Sequence, residues 1–134
     1  MRIVLLGGGG HASDVLGAIE AINNETDNDA GKIQVAGVLA DEDIDPKRFS
    51  HRDIKQLGAL SDLGSVDATH VIACVGFPRE RQIVAREAES SDKAAATLIH
   101  PKAWAPPGTV ADRRGSLRGR CRMGVLALIF VPVF

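Results

Sequence analysis

The feature that most constrains the fold is a run of four consecutive glycines, residues 7–10. Residues 3–6 before them are continuously apolar, which is typical of a strand buried on both faces of a parallel sheet. Apolar side chains recur at helical spacing over residues 12–22 after them. Glycine loses more backbone freedom on folding than any other residue, so such a run indicates a tight turn or a close approach to a ligand. The sequence therefore predicts a strand, a glycine turn and a helix.

The pattern continues along the first hundred residues, where further apolar runs alternate with helical segments. Pro78 suits the first position of a helix that extends to about residue 90. Alternating strands and helices favour a parallel sheet with right-handed crossovers. We therefore predict an α/β, Rossmann-like domain with flanking helices over residues 1–100. Its further strands are expected at residues 33–40, 57–60, 70–75 and 97–99, whereas residues 44–56 give no clear pattern.

The glycine turn has the spacing G-x-G-x-x-A when counted from Gly7 to Ala12. The N-terminal N–H groups and the positive dipole end of the following helix would point at a ligand above the turn, and a phosphate suits them best. Asp41 follows the second strand, where such folds place a carboxylate against a ribose hydroxyl. His11, at the start of the helix, is suited to donate to a phosphate or a sugar. Each of these assignments has an alternative. The glycines also fit a tight turn without a ligand, Asp41 fits a solvated acidic loop, and His11 fits a residue that packs against or caps the helix.

A second candidate edge follows the strand at 70–75, where Gly76, Arg79 and Arg81 lie close in sequence. In open parallel sheets the ligand crevice lies at the carboxyl ends of the strands. Either arginine is long enough to reach a phosphate or a sugar there. Both also fit the solvated face of a helix, and the sequence leaves these alternatives open.

Composition limits the classes of partner and compartment. A net charge of −1 argues against a protein that wraps nucleic acid. Cys74 and Cys121 have neither metal-site nor disulfide-framework spacing, so a reducing cytoplasm is expected and no metal is predicted. The apolar stretch 125–134 is shorter than the ~20 residues that span a bilayer. A basic stretch followed by this apolar one also fits a membrane-binding tail, although no amphipathic pattern supports it.

Four segments, taken together, resemble the sugar O/N-acyltransferases of the NeuD/PglD type: residues 3–12, 38–41, 75–81 and 98–103. The resemblance implies an N-terminal domain that binds a UDP-sugar or a sialic-acid-type substrate. It also implies a following left-handed β-helix of hexapeptide repeats that trimerises, binds acetyl-CoA and supplies a catalytic histidine. By this resemblance the substrate-binding residues are Gly8, Gly9, Gly10, His11, Asp41, Gly76 and Arg79.

The hexapeptide pattern is short in this chain. Leu98, Trp104 and Val110 keep a six-residue step, but the next two steps fall on Ser116 and Arg122. A lone coil cannot bury its own face, because each repeat depends on its stacked neighbours. We therefore expect about one coil of a truncated β-helix, over residues 101–111. Residues 112–134 are then an aberrant tail, Arg-rich and then apolar, of the kind that a truncated or shifted reading frame produces.

These expectations lead to a functional hypothesis. In the family that the chain resembles, the acetyl-CoA site, the catalytic histidine and the trimer contacts lie in β-helix coils that this sequence does not continue, and no histidine follows His100. The chain would then bind the nucleotide-sugar or sugar substrate without an acetyl-CoA site, a catalytic residue or the family's trimer. Two alternatives remain open. One is a fragment of an NAD(P)-binding oxidoreductase, and the other is a non-catalytic ligand-binding module.

Overall fold

The computed structural model describes residues 1–102 in full and, beyond them, the backbone of 110–111, 117–118 and 129–130. Its centre is a five-stranded sheet in which every pairing is parallel. The strand order is β3-β2-β1-β4-β5, which confirms an α/β fold of the Rossmann-like kind. The strands are β1 (Arg2–Leu6), β2 (Gln34–Leu39), β3 (Gln56–Gly58), β4 (His70–Ala73) and β5 (Ala94–Ala95).

Helices cover both faces of this sheet because β1 is apolar on both sides. Ile3 and Leu5 pack into a cluster with helix α1 (Gly10–Asn24). Val4 and Leu6 pack into a second cluster, with helix α3 (Pro78–Glu89) and the 3-10 helix Leu60–Ser65. The short helix α2 (Pro46–Phe49) lies within residues 44–56, which show no clear pattern in the sequence. The three layers meet at the carboxyl ends of the strands, where α1 and α3 begin.

The prediction of a last parallel strand at residues 97–99 is wrong. The last parallel strand is β5, whose two residues pair with β4. Strand β6 (Leu98–Ile99) instead pairs antiparallel with β9 (Ile129–Phe130), in a separate sheet. Leu98 is buried in the cluster that contains α1. The apolar residues at 98–99 therefore indicate burial and not a place in the parallel sheet. Strand β5 consists of two exposed alanines, a residue type and a burial that give no indication of a strand in the sequence.

Strands β7 (Val110–Ala111) and β8 (Leu117–Arg118) form a second antiparallel pair. Of the expected β-helix coil over 101–111, residues 103–109 lie outside the described residues, as do residues 112–116, 119–128 and 131–134 of the Arg-rich and apolar tail. In the part of the chain that the structure describes, no helix combines the length and apolar character needed to cross a membrane.

Candidate functional site

A crevice of about 670 Å³ opens at the carboxyl ends of β1, β2 and β4. The chain passes from α1 on one face of the sheet to α3 on the other, so this is the point where the direction of the strand order reverses. Ligands of open α/β sheets bind at such points, and the volume lies in the range of small-molecule sites. The lining comes from residues 7–11, 40–45, 74–77 and 83–84, with Arg48, Leu60 and Glu80.

The first two glycines of the turn are required by the protein itself. Gly7 has φ +107°, and a Cβ there would lie 2.6 Å from Val75 Cγ1 and 3.0 Å from the Cys74 carbonyl oxygen. A Cβ on Gly8 would overlap the side chain of Ile44. Both glycines therefore allow the turn to pack against its neighbours, and a ligand is not needed to explain them.

The last two glycines face open space. Apart from the adjoining backbone, no described atom lies within 4 Å of a Cβ built on Gly9, and a Cβ on Gly10 meets only Arg48 Nη1, at 3.9 Å. Gly9 is the N-cap of α1 and supplies no side-chain cap. The first N–H groups of a helix have no acceptor within the helix. At Gly10, the first helical residue, the bare backbone therefore presents its N–H at the crevice.

Asp41 and His11 both line the crevice. Asp41 follows β2, and its Oδ1 accepts a hydrogen bond from the Leu60 N–H at 3.0 Å. This bond satisfies the first N–H of the 3-10 helix Leu60–Ser65 and leaves the other carboxylate oxygen of the exposed Asp41 side chain facing solvent. His11 is half-buried in the first turn of α1. Asp41 is thus a structural cap and a candidate ligand acceptor at the same time.

Residues 40–45, which follow β2, form one wall of the crevice. This wall is held by a side chain that the sequence analysis did not single out. Gln56, on β3, accepts from the Ile44 N–H at 3.1 Å and donates to the carbonyl oxygens of Ala40 at 2.9 Å and Glu42 at 3.0 Å. These three hydrogen bonds fix a loop that has no regular structure of its own. Because this loop also places Ile44 over Gly8, Gln56 shapes the crevice without lining it.

The described lining of the crevice carries more acidic than basic side chains. Arg48 is the one lysine or arginine among its described lining residues, and sequence reasoning missed it because residues 44–56 gave no pattern. Helix α2, which carries Arg48, is only four residues long and has no amphipathic repeat. The acidic lining side chains are Asp41, Glu42, Asp43, Asp45 and Glu80.

The side after β4 is apolar. Phe77 is 70% exposed and Ile83 45% exposed, and both line the crevice with Gly76. Large apolar side chains at a concave surface favour contact with the flat or apolar part of a ligand. At the floor, burial raises the pKa of the Cys74 thiol far above its usual range. The thiol therefore stays protonated and is not suited to act as a nucleophile.

Six of the seven substrate-binding residues that the family resemblance implies line this crevice: Gly8, Gly9, Gly10, His11, Asp41 and Gly76. Arg79 is exposed on the first turn of α3 and is not among the lining residues. Arg81, the other candidate, donates from Nε to the Val75 carbonyl oxygen at 3.1 Å and so fastens α3 to the end of β4. Within residues 1–102 no group of three or more histidine, cysteine, aspartate or glutamate side chains is placed to hold a metal ion.

Neither a protein-family model nor a curated protein matches this chain. The chemistry of the crevice and the motifs that line it are therefore the basis for assigning a function.

Proposed function

We propose that the crevice binds a nucleotide-sugar or sugar substrate, either a UDP-sugar or a sialic-acid-type ligand, as the substrate-binding domain of a sugar acyltransferase does. The observation that carries this proposal is the pair of open glycines, Gly9 and Gly10, at the uncapped start of a 15-residue helix. Neither the φ angles nor the packing at these two positions requires glycine. The close approach of a ligand would explain why both positions lack a side chain.

The phosphate would lie at this end of the crevice. Free N–H groups and the partial positive charge of a helix start stabilise an anion there. Side chains are absent at Gly9 and Gly10, so an oxygen atom can approach the backbone to hydrogen-bond distance.

The remainder of the crevice suits a sugar or a nucleoside. The free carboxylate oxygen of Asp41 is an acceptor for a hydroxyl group, in the position where nucleotide-binding α/β folds contact the ribose. Phe77 and Ile83 offer an apolar surface for a ring. Acetyl-CoA is assigned to none of the described residues, so the proposal concerns substrate binding alone.

A dinucleotide is the second candidate, and a specific observation favours it. The order β3-β2-β1-β4-β5, with an acidic residue two positions after the end of β2, is also the arrangement of NAD-binding domains. Such a protein would extend the ligand across the crevice towards the carboxyl end of β4.

Calorimetric titration of the 134-residue chain tests both candidates. The ligands are UDP-N-acetylglucosamine, the sialic-acid nucleotide CMP-N-acetylneuraminate and NADH, each with its heat of dilution as the control. We expect saturable binding of one of the two sugar nucleotides and none of NADH. Saturable binding of NADH alone would replace the proposal by the dinucleotide candidate. No binding of any of the three would overturn both, and would leave a module whose glycines serve the turn only.

A further inference from the structure

We propose that Arg48 is the side chain that pairs with the phosphate, in a phosphate site completed by the backbone of Gly9 and Gly10. This inference deepens the proposed function, because it names the residue that selects a phosphate-bearing ligand over a neutral sugar. It is independent of which sugar or nucleoside the phosphate carries.

The first argument is the position of the guanidinium group. Arg48 Nη1 lies 3.9 Å from the place where a Cβ would stand on Gly10, the first residue of α1. The guanidinium and the start of α1 therefore border the same part of the crevice, one as a cation and the other through its first backbone N–H groups. Both features favour an anion, and they belong to different elements of the fold.

The second argument is that the protein itself leaves this cation unused. The Arg48 side chain is half-buried, yet its guanidinium makes no hydrogen bond and no ion pair with any described residue. Only the backbone N–H of Arg48 donates, to the Asp45 carbonyl oxygen at 3.1 Å. Five carboxylates line the same crevice, so acidic partners are abundant. By contrast, Arg52, the next arginine along the chain, forms an ion pair with Glu20. A guanidinium held among carboxylates without contacting one is available to an incoming anion.

The third argument is that the backbone carrying Arg48 is well anchored. Asp45 caps α2 by accepting from the Lys47 N–H at 3.0 Å, and Pro46 occupies the first turn with its fixed φ. Phe49, the next residue, is 1% exposed and belongs to the core cluster that contains α1. Helix α2 is therefore fixed to the same core as the helix start that it faces, so little ordering is needed when a ligand arrives.

The chemistry of this phosphate site favours a phosphate group in one position of the crevice. A guanidinium donates two parallel hydrogen bonds to a phosphate, whereas a lysine ammonium acts as a point charge. The carboxylates of Asp41, Glu42 and Asp43 on the wall after β2 repel further negative charge. Although Asp45 also lines the crevice near Arg48, the guanidinium is the one cation of the described lining, so we place the phosphate groups of the ligand beside it and the uncharged part along the acidic and apolar walls.

The test compares Arg48→Met, Arg48→Lys and a matched control, Arg86→Met, in the full chain. Arg86 is exposed near the end of α3 and does not line the crevice. The probes are UDP-N-acetylglucosamine, inorganic pyrophosphate and uridine, titrated by calorimetry at low and moderate salt. We expect Arg48→Met to weaken binding of the two phosphate-bearing probes about 10- to 100-fold, as for a lost hydrogen-bonded charge. Arg48→Lys should lie between wild type and Arg48→Met, and Arg86→Met should match wild type.

The outcomes separate this inference from the proposed function. If wild type binds UDP-N-acetylglucosamine and Arg48→Met binds it equally well, Arg48 is not the phosphate partner although the crevice is a sugar-nucleotide site. If pyrophosphate binds in an Arg48-dependent way and no sugar nucleotide binds, the assignment of Arg48 to a phosphate site is supported and the proposed function fails. If neither phosphate-bearing probe binds wild type, the inference about Arg48 is overturned. If CMP-N-acetylneuraminate does not bind either, the proposed function is overturned with it. Equal thermal unfolding midpoints of the variants show that the comparison is made between folded proteins, and Arg48→Gln replaces Arg48→Met if the latter unfolds early.

Discussion

The two halves of the glycine turn look alike in the sequence and differ in the structure. Gly7 and Gly8 are pressed against Val75 and Ile44, and a side chain on either would collide with the protein. Gly9 and Gly10 have ordinary space around them and border the crevice. One half of the motif therefore serves folding and the other is available for a ligand. A glycine-rich turn is better treated as two separate requirements than as one binding motif.

The largest expected effect would come from Gly7→Ala. The left-handed φ and the contact with Val75 each cost about 1–3 kcal/mol for a residue with a Cβ. We expect the free energy of unfolding, measured by urea denaturation, to fall by about 2–6 kcal/mol.

Gly17→Ala is the matched control for this variant. Gly17 lies inside α1 with no described atom within 4 Å of a Cβ position. Its substitution should raise stability by about 0.5–1 kcal/mol, because alanine favours a helix interior over glycine. Equal stabilities of Gly7→Ala and wild type would remove the distinction between the two halves of the turn.

Gly8→Ala should destabilise the protein by about 1–3 kcal/mol through overpacking against Ile44. A double-mutant cycle with Ile44→Ala measures the contact directly, since the smaller side chain removes the Cγ2 that a Cβ on Gly8 would meet. We expect the cost of Gly8→Ala to shrink in the Ile44→Ala background. Additive free energies of unfolding would show that Ile44 is not the reason for this glycine.

Gly10→Ala should have the opposite profile. Its Cβ would occupy the space before Arg48 without a clash, so the free energy of unfolding should stay within about 0.5 kcal/mol of wild type. Binding of the phosphate-bearing ligand should weaken about tenfold, the equivalent of about 1.4 kcal/mol, because the methyl group keeps an oxygen from the backbone. Titration and denaturation of the same preparation give both quantities. A variant that binds as wild type does would place the ligand elsewhere in the crevice.

The smallest expected effect separates the two roles of Asp41. Asp41→Ala loses the hydrogen bond to the Leu60 N–H and should cost about 1 kcal/mol in unfolding free energy. Asp41→Asn retains an oxygen acceptor for that N–H and should cost less than about 0.5 kcal/mol. If the free carboxylate oxygen contacts a ligand hydroxyl, both variants should bind the ligand more weakly. A loss of affinity confined to Asp41→Ala would mean that Asp41 acts only as a cap.

Much of the fold could be predicted because its signals are local. The apolar run at residues 3–6, the glycines and the helical spacing after them gave the first strand, turn and helix. Pro78 marked the start of α3, where the structure also begins it. The strand at 97–99 was misplaced because strand pairing depends on the partner, and an apolar pair such as Leu98–Ile99 signals burial without naming that partner.

The candidate site divides in the same way. Gly9, Gly10 and Asp41 were accessible to sequence reasoning because each follows a strand that the pattern identifies. Arg48 and Gln56 were not, because each reaches the site from a segment with no periodic signal.

The sequence by itself determined that a strand, a glycine turn and a helix open an α/β domain, because backbone entropy and the period of apolar residues act over a few neighbouring positions. Only the tertiary structure decided which glycines are structural, that Gln56 fixes the acidic loop and that Arg48 faces the start of α1. These facts depend on distances between segments far apart in the chain. Packing of both sheet faces sets those distances, and no local pattern records them.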